Sequence, residues 1–241
     1  MIVLCEWRDL LSHAELLDSE IAVWRIPLDD DGYVESHSVL SSAELERARR
    51  YRFAADRRRF SVCRAALRRI VASYLDVAAG SLIFATGPGG KPRLDPARHG
   101  AGLRFTVSHS GARALIALSL DRELGVDIEH VRPMPTADAV IAHCFSPRER
   151  AALTALPAER RHRTFFRAWA LKEAYLKACG DGLTRPPDQI EVMAGADDAP
   201  PVLRVLDRPG DERFWTLCVI DAGDAYAAAL AVERRDERPA P

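Results

Sequence analysis

Ser41-Ser-Ala-Glu44 and Ser146-Pro-Arg-Glu149 carry the same helix-start signature, and they stand 105 residues apart in a chain of 241. In each, the Ser hydroxyl can accept from the Glu backbone N–H while the Glu carboxylate reaches back to the Ser N–H, which satisfies two orphan donors. Each follows an apolar residue, Leu40 or Phe145. The same offset sets Phe60 on Phe165, Ala65 on Ala170 and Val71 on Leu176, and lays the strand-like residues 20–24 on 125–129. A repeat of this length predicts one supersecondary plan used twice. Each half reads as a strand, a capped helix, a long helix and then β-rich sequence. The closing strands are expected over residues 103–107 and 112–120 in the first half. In the second they are expected over 214–220 and 225–233, after shorter candidates near Ile190 and Val202. The expected fold class is α+β, in two similar halves related by pseudo-twofold duplication, residues 1–121 and 122–241. Their charges differ. At this offset Asp127 and Glu129 stand opposite Ala22 and Trp24, and Glu173 opposite Arg68.

Charge and cysteine use narrow the function classes. A net charge of −1 gives no global excess of positive charge to release counterions, which excludes wholesale nucleic-acid binding. The stretch from Glu44 to Arg69 is nevertheless strongly basic, which suits a local anionic ligand or an acidic partner. Cys5, Cys63, Cys144, Cys179 and Cys218 form no Cys-x-x-Cys pair, so neither a zinc site nor a disulfide framework is expected. No apolar run approaches a membrane span, and Met1-Ile-Val-Leu-Cys-Glu-Trp lacks the charged start of a signal peptide. The expectation is a cytoplasmic protein with no membrane partner. Only three of the 34 basic residues are lysine: Lys91, Lys172 and Lys177. Lysine is a compact, mobile ammonium and arginine a rigid fork, so a chain biased to arginine directs attention to the places where lysine stays.

Four constellations could do chemistry. Asp127 and Glu129 alternate with Val126 and Ile128, so on a strand both carboxylates project from one face. Trp169, Glu173 and Lys177 are spaced by four and share a face of a helix expected from about residue 160 to 178. If that face meets the strand, three carboxylates converge beside a lysine. Hard oxygen donors without a His or Cys cluster suit Mg²⁺ or Mn²⁺. The same spacing equally fits a strand's solvent side and an ordinary helix ion pair. Gly87-Pro-Gly-Gly-Lys91-Pro92 is Gly-rich but is no Walker loop, since no Ser or Thr follows the lysine; a turn between strands reads equally well. Ser108-His109-Ser110 closes a strand without a nucleophile elbow, and fits a structural His or a phosphate contact. Arg47, Arg59 and Arg64 lie in the basic helices.

Taken together, these residues resemble the 4'-phosphopantetheinyl transferases, of the long, two-halved type typified by the surfactin-synthetase activator. The resemblance rests on Gly125-Val-Asp127-Ile-Glu129 and Trp169-Ala-Leu-Lys172-Glu173-Ala-Tyr-Leu-Lys177. Gly90-Lys91-Pro92 and Ser108-His109-Ser110 precede them in the family's order, and the whole spans residues 41–183. It implies transfer of the phosphopantetheine arm of coenzyme A to a serine of an apo acyl or peptidyl carrier protein, releasing adenosine 3',5'-bisphosphate. By motif, Asp127, Glu129 and Glu173 would hold Mg²⁺, or Mn²⁺. Glu173 would act as base directly or through a water, and Lys177 would neutralise the pyrophosphate; Asp127 and Lys172 would also contact coenzyme A. Lys91 and His109, with Arg47 and Arg64, would grip the 3'-phosphate and adenine end, while Pro92 and Ser108 line the nucleotide pocket. The first half would then be the nucleotide side and the second the metal and catalytic side, with the active site at the seam. Lys172 could face coenzyme A, the partner or the helix surface.

Two positions depart from the pattern. Thr106 stands where relatives often have Asn, and Phe60 where some have a hydroxyl, which leaves the adenosine contacts open. The resemblance also implies a monomer. An alternative is a coenzyme A-binding regulatory module without transfer activity, against which the intact Asp127, Glu129, Glu173 and Lys177 speak.

Overall fold

Both capping boxes form in the computed structural model, which describes residues 1–7, 16, 20–29, 37–87, 90–100, 102–193 and 200–235. Ser41 caps α1 (Ser42–Arg49), its hydroxyl accepting from Glu44 N while the Glu44 carboxylate accepts from Ser41 N at 2.8 Å. A second short helix, later in the chain, starts in the same way behind Ser146. The chain divides into two compact units: Met1–Thr86 with Pro92–Asp121, and Gly87–Lys91 with Arg122–Pro241. Gly87, Gly90 and Lys91 therefore group with the second unit.

In the first unit, β1 (Ile2–Glu6) and β2 (Ile21–Pro27) precede α1, and the long α2 (Ala54–Leu75) follows it. Next come a hairpin of β3 (Phe84–Thr86) and β4 (Pro92–Leu94), the short α3 (Pro96–His99), and the strands β5 (Leu103–Ser110) and β6 (Arg113–Leu120). The main sheet runs β1-β2-β6-β5, antiparallel except for the β1–β2 pair. One stripe of α2 (Cys63, Ala66, Leu67, Ile70, Val71) packs on Trp24, Ile26, Ala114, Ile116 and Leu118. Burying each large apolar side chain of that stripe contributes about 1.5–3 kcal/mol, which far exceeds what helix propensity supplies.

The second unit repeats the plan. β7 (Leu124–His130) is followed by α4 (Ala137–Cys144), the capped α5 (Pro147–Thr154) and the long α6 (Ala158–Cys179). A hairpin of β8 (Ile190–Met193) and β9 (Val202–Val205) comes next, then β10 (Trp215–Val219) and β11 (Tyr226–Glu233). Its main sheet runs β10-β11-β7, the same internal order as β5-β6-β2. Ala227, Ala229 and Ala231 alternate on one face of β11 and let α6 lie close, with Ala170, Leu171, Ala174 and Tyr175 in the same core. α2 and α6 have 22 residues each and both end on a residue with positive φ, Asp76 at 51° and Gly180 at 75°.

Several details differ from what the sequence predicts, beginning with β1 and α3, which no pattern announced. α6 begins two residues earlier than expected, and α4 carries too short an apolar pattern to announce itself. Ser108, His109 and Ser110 pair within β5, opposite Leu115, Ala114 and Arg113, so they do not follow it. Among the described residues, no helix is long and apolar enough to cross a membrane.

Candidate active site

Gly125 decides how β7 and α6 meet. A Cβ on it would collide with the Ala174 carbonyl oxygen and the Ala178 backbone nitrogen, so the helix backbone rests directly on the strand. Strand alternation puts Asp127 and Glu129 on the same face as Gly125, toward α6, while Val126 and Ile128 are buried on the other. Glu173 and Lys177 stand one turn apart on α6 and reach that face. Lys177 Nζ donates to Asp127 Oδ1 at 2.6 Å, and Asp127 is only 3% exposed.

The electrostatics tie the set together. Burial pushes the Glu173 carboxyl above its ordinary value; Asp127 pushes the same way, Lys177 pulls against it, and Glu129 adds to the rise. The Glu173 carboxyl therefore senses both strand carboxylates and the lysine. Among the described residues, no three His, Cys, Asp or Glu side chains are already gathered around a metal position. Asp127 is turned to Lys177, whose ammonium supplies the local positive charge. A cavity of about 530 Å³ adjoins Glu129, lined also by Arg132, Met134, Val140, Phe165 and Trp169. The Trp169 ring stacks on Phe145 at 6.3 Å between centroids.

Lys172 belongs elsewhere. One residue before Glu173, it points into the core with 0% exposure, and Nζ donates to Glu149 Oε2 at 2.7 Å, to Pro187 O at 3.0 Å and to Ile190 O. Burial pushes its ammonium down and Glu149 pulls it back up. The expectation that Lys172 contacts coenzyme A fails on this geometry, because all three ammonium protons are used inside the core. Arg68 of α2 is the first unit's counterpart. It is 3% exposed and donates to Glu44 Oε2 at 2.7 Å, to Ala79 O at 3.0 Å and to Leu82 O at 3.1 Å. The constant offset therefore slips by one residue along the long helices, where the preceding loop is shorter (155–157 against 50–53), and Arg68 matches Lys172, not Glu173.

The remaining candidates are placed as follows. Lys91 Nζ donates to Glu123 Oε2 at 3.1 Å and to Leu124 O at 2.9 Å, at the start of β7. In the first unit, Arg47 is exposed with its guanidinium 5.2 Å over the Phe60 ring, and Pro92 opens β4. Arg64 pairs with Glu44 and lies 4.4 Å over Phe84, so its fork is already engaged. Ser108 is buried and His109 exposed, as β5 alternation requires. Its spacing from Ser146 marks Glu149 only as a capping residue. The signal for more was the pair of basic residues, Arg68 and Lys172, each on the helix that follows a box.

A family model described as "4'-phosphopantetheinyl transferase superfamily" matches residues 123–231, and one described as "4'-phosphopantetheinyl transferase, N-terminal" matches 24–120. Over 228 residues the chain is 37% identical to 4'-phosphopantetheinyl transferase HetI of Nostoc sp., covering 94% of this chain and 93% of that protein. The chain belongs to the 4'-phosphopantetheinyl transferase superfamily. This transferase is also 35% identical to the putative 4'-phosphopantetheinyl transferase slr0495 of Synechocystis sp., over 87% of this chain and 85% of that one. With 4'-phosphopantetheinyl transferase Sfp of Bacillus subtilis it shares 26% identity over 71% of its own length and 74% of the relative's. Matches to both family models, end to end along the chain, make it a transferase of the long type. The site on β7 and α6 lies in the part that the superfamily model covers.

Proposed function

We propose that this transferase moves the 4'-phosphopantetheine arm of coenzyme A onto a serine hydroxyl of an apo acyl or peptidyl carrier protein in a Mg²⁺-dependent reaction. The observation that carries the reading is the convergence of Asp127, Glu173 and Lys177 where Gly125 lets α6 rest on β7. Asp127, Glu129 and Glu173 are all hard oxygen donors, and burial, with Asp127 and Glu129 beside it, raises the Glu173 carboxyl. That donor set fits Mg²⁺ or Mn²⁺. When bound, the cation would neutralise pyrophosphate charge and polarise the phosphorus under attack.

The chain's own residues supply the rest. Glu173, raised by burial and by its acidic neighbours, suits a proton acceptor for the incoming serine. The serine Oγ–P bond forms, the P–O bond to the leaving adenosine 3',5'-bisphosphate breaks, and the serine proton passes to Glu173, directly or through a water. Lys177 stands beside Asp127 as a point charge for the pyrophosphate, which suits a transfer that depends on charge neutralisation more than covalent catalysis. In the first half, Arg47 and His109, both exposed, would contact a nucleotide phosphate, with Pro92 and Ser108 as lining; Lys91, which donates to Glu123, would also serve a phosphate. Arg64 would have to leave Glu44 to take part. We read the enzyme as a monomer, which sedimentation will show directly.

The deciding assay mixes purified protein, coenzyme A and Mg²⁺ with a panel of apo carriers, and reads phosphopantetheine mass gain on the carrier serine. Gain on at least one carrier is expected. Calorimetric binding of coenzyme A with no gain across the panel sinks the transferase reading for this chain and leaves a binding module.

A further inference from the structure

We propose that Lys172 is a positioning residue: with Glu149 it fixes α6 against α5 and β8, and so places Glu173 and Lys177. The inference rests on the reading of Glu173 as metal ligand and base.

Glu149 joins four pieces of the second unit. Its Oε2 accepts from Ser146 N at 2.8 Å and from Lys172 Nζ at 2.7 Å, and its Oε1 accepts from Val192 N at 2.8 Å. Ser146 Oγ adds a bond to Glu191 Oε1 at 2.7 Å. Through Lys172 the same knot takes in the carbonyls of Pro187 and Ile190. The start of α5, the middle of α6, the turn before β8 and β8 itself therefore share one buried node. The Lys172 ammonium also stands 5.0 Å over the Phe145 ring, against which Trp169 stacks, so the node reaches the wall of the cavity beside Glu129.

The first unit provides an internal comparison. Glu44 and Arg68 make an equivalent node from a capping-box Glu, a buried cation and two carbonyls, yet the residue after Arg68 is Arg69 and no acidic cluster follows. The node is thus a device of the fold. In the second unit the next residue is Glu173, whose backbone cannot shift without carrying its carboxylate away from Asp127. Gly125 leaves α6 and β7 no side-chain spacer between their backbones, so a small slide of the helix is not absorbed by rotamer change. Lysine suits the position because three acceptors surround a single nitrogen in a space with no exposure.

The test separates positioning from stability. Lys172→Met leaves Glu149 as an uncompensated buried charge and will lower the melting temperature; Lys172→Met with Glu149→Gln removes that charge and will recover part of the loss. Mn²⁺ binding, read by electron paramagnetic resonance in the presence of coenzyme A, should stay weaker by about 10-fold or more in both variants, as for other groups that orient metal ligands. Half-saturating Mg²⁺ in the transfer assay should rise in parallel. Arg68→Met should lower the melting temperature and leave Mn²⁺ binding unchanged. A double variant with wild-type Mn²⁺ binding and turnover overturns the proposal and leaves Lys172 a stability residue. Failure of the underlying metal reading looks different: the wild-type protein itself would bind no Mn²⁺, or Asp127→Ala would bind it equally well.

Discussion

Asp127 carries two demands at once: it is a buried carboxylate paired to Lys177 at 2.6 Å, and it stands in the field that raises Glu173. Asp127→Ala should cut kcat by about 10²–10³, the usual loss when one charge-stabilising group leaves a site; steady-state kinetics at saturating Mg²⁺ will show it, and a near-normal rate would contradict the assignment. Lys177→Arg should also slow turnover, since a planar fork cannot replace a point charge against a single carboxylate oxygen. Glu173 gives the opposite sign for stability. Its folded carboxyl lies above the ordinary 4.5, so the ionised form strains the fold at neutral pH, and the strain is relieved as pH falls through the raised value. Glu173→Gln should therefore melt higher than wild type near pH 7 without metal, with the advantage fading in acid, while transfer is lost. Equal melting curves at pH 7 would mean that the carboxyl is not strained.

At the scale of elements, the contact between β7 and α6 has no slack. Gly125→Ala should destabilise the protein by about 1–3 kcal/mol, because the helix must lift from the strand; calorimetry checks the loss, and Mn²⁺ affinity should fall with it. The node under α1 predicts a pH effect. Burial alone would raise Glu44, but Arg68, the Ser41 N–H and Arg64 together hold its carboxyl below the ordinary 4.5. Its stabilisation is therefore present above the unfolded value and lost as pH falls through the folded one. Glu44→Gln should flatten the acid side of the melting-temperature profile; an unchanged slope would refute that account. Both capping boxes were legible in the sequence because their partners lie three residues apart. The nodes above them were not, since Glu44 reaches Arg68 and Glu149 reaches Lys172 only after the helices pack. For the same reason the rarity of lysine misled at Lys172: a residue kept for a tight internal fit looks, in sequence, like one kept for a ligand.

Over the whole molecule the repeat was legible from the order of elements, which needs only periodicity and turn signals. The Asp127–Lys177 pair became legible only through the strand–helix contact at Gly125. The scarcity of lysine also makes a global test simple. Amine labelling of the native protein should modify Lys177, whose side chain is 31% exposed, and spare Lys172 until the chain is unfolded; early labelling of Lys172 would show that the node opens. The sheet order has a consequence in time. β7, with both strand carboxylates, pairs with β11 at residues 226–233, whereas β2 finds its partner β6 by residue 120. A ribosome making this chain thus leaves β7 without its partner strand while the whole of α6 and the strands β8, β9 and β10 are added. The first unit can settle during that interval, and the chemistry can switch on only once β11 has been added. Proteolysis of stalled nascent chains will report that order: those halted before Tyr226 should lose the second unit to protease and keep the first.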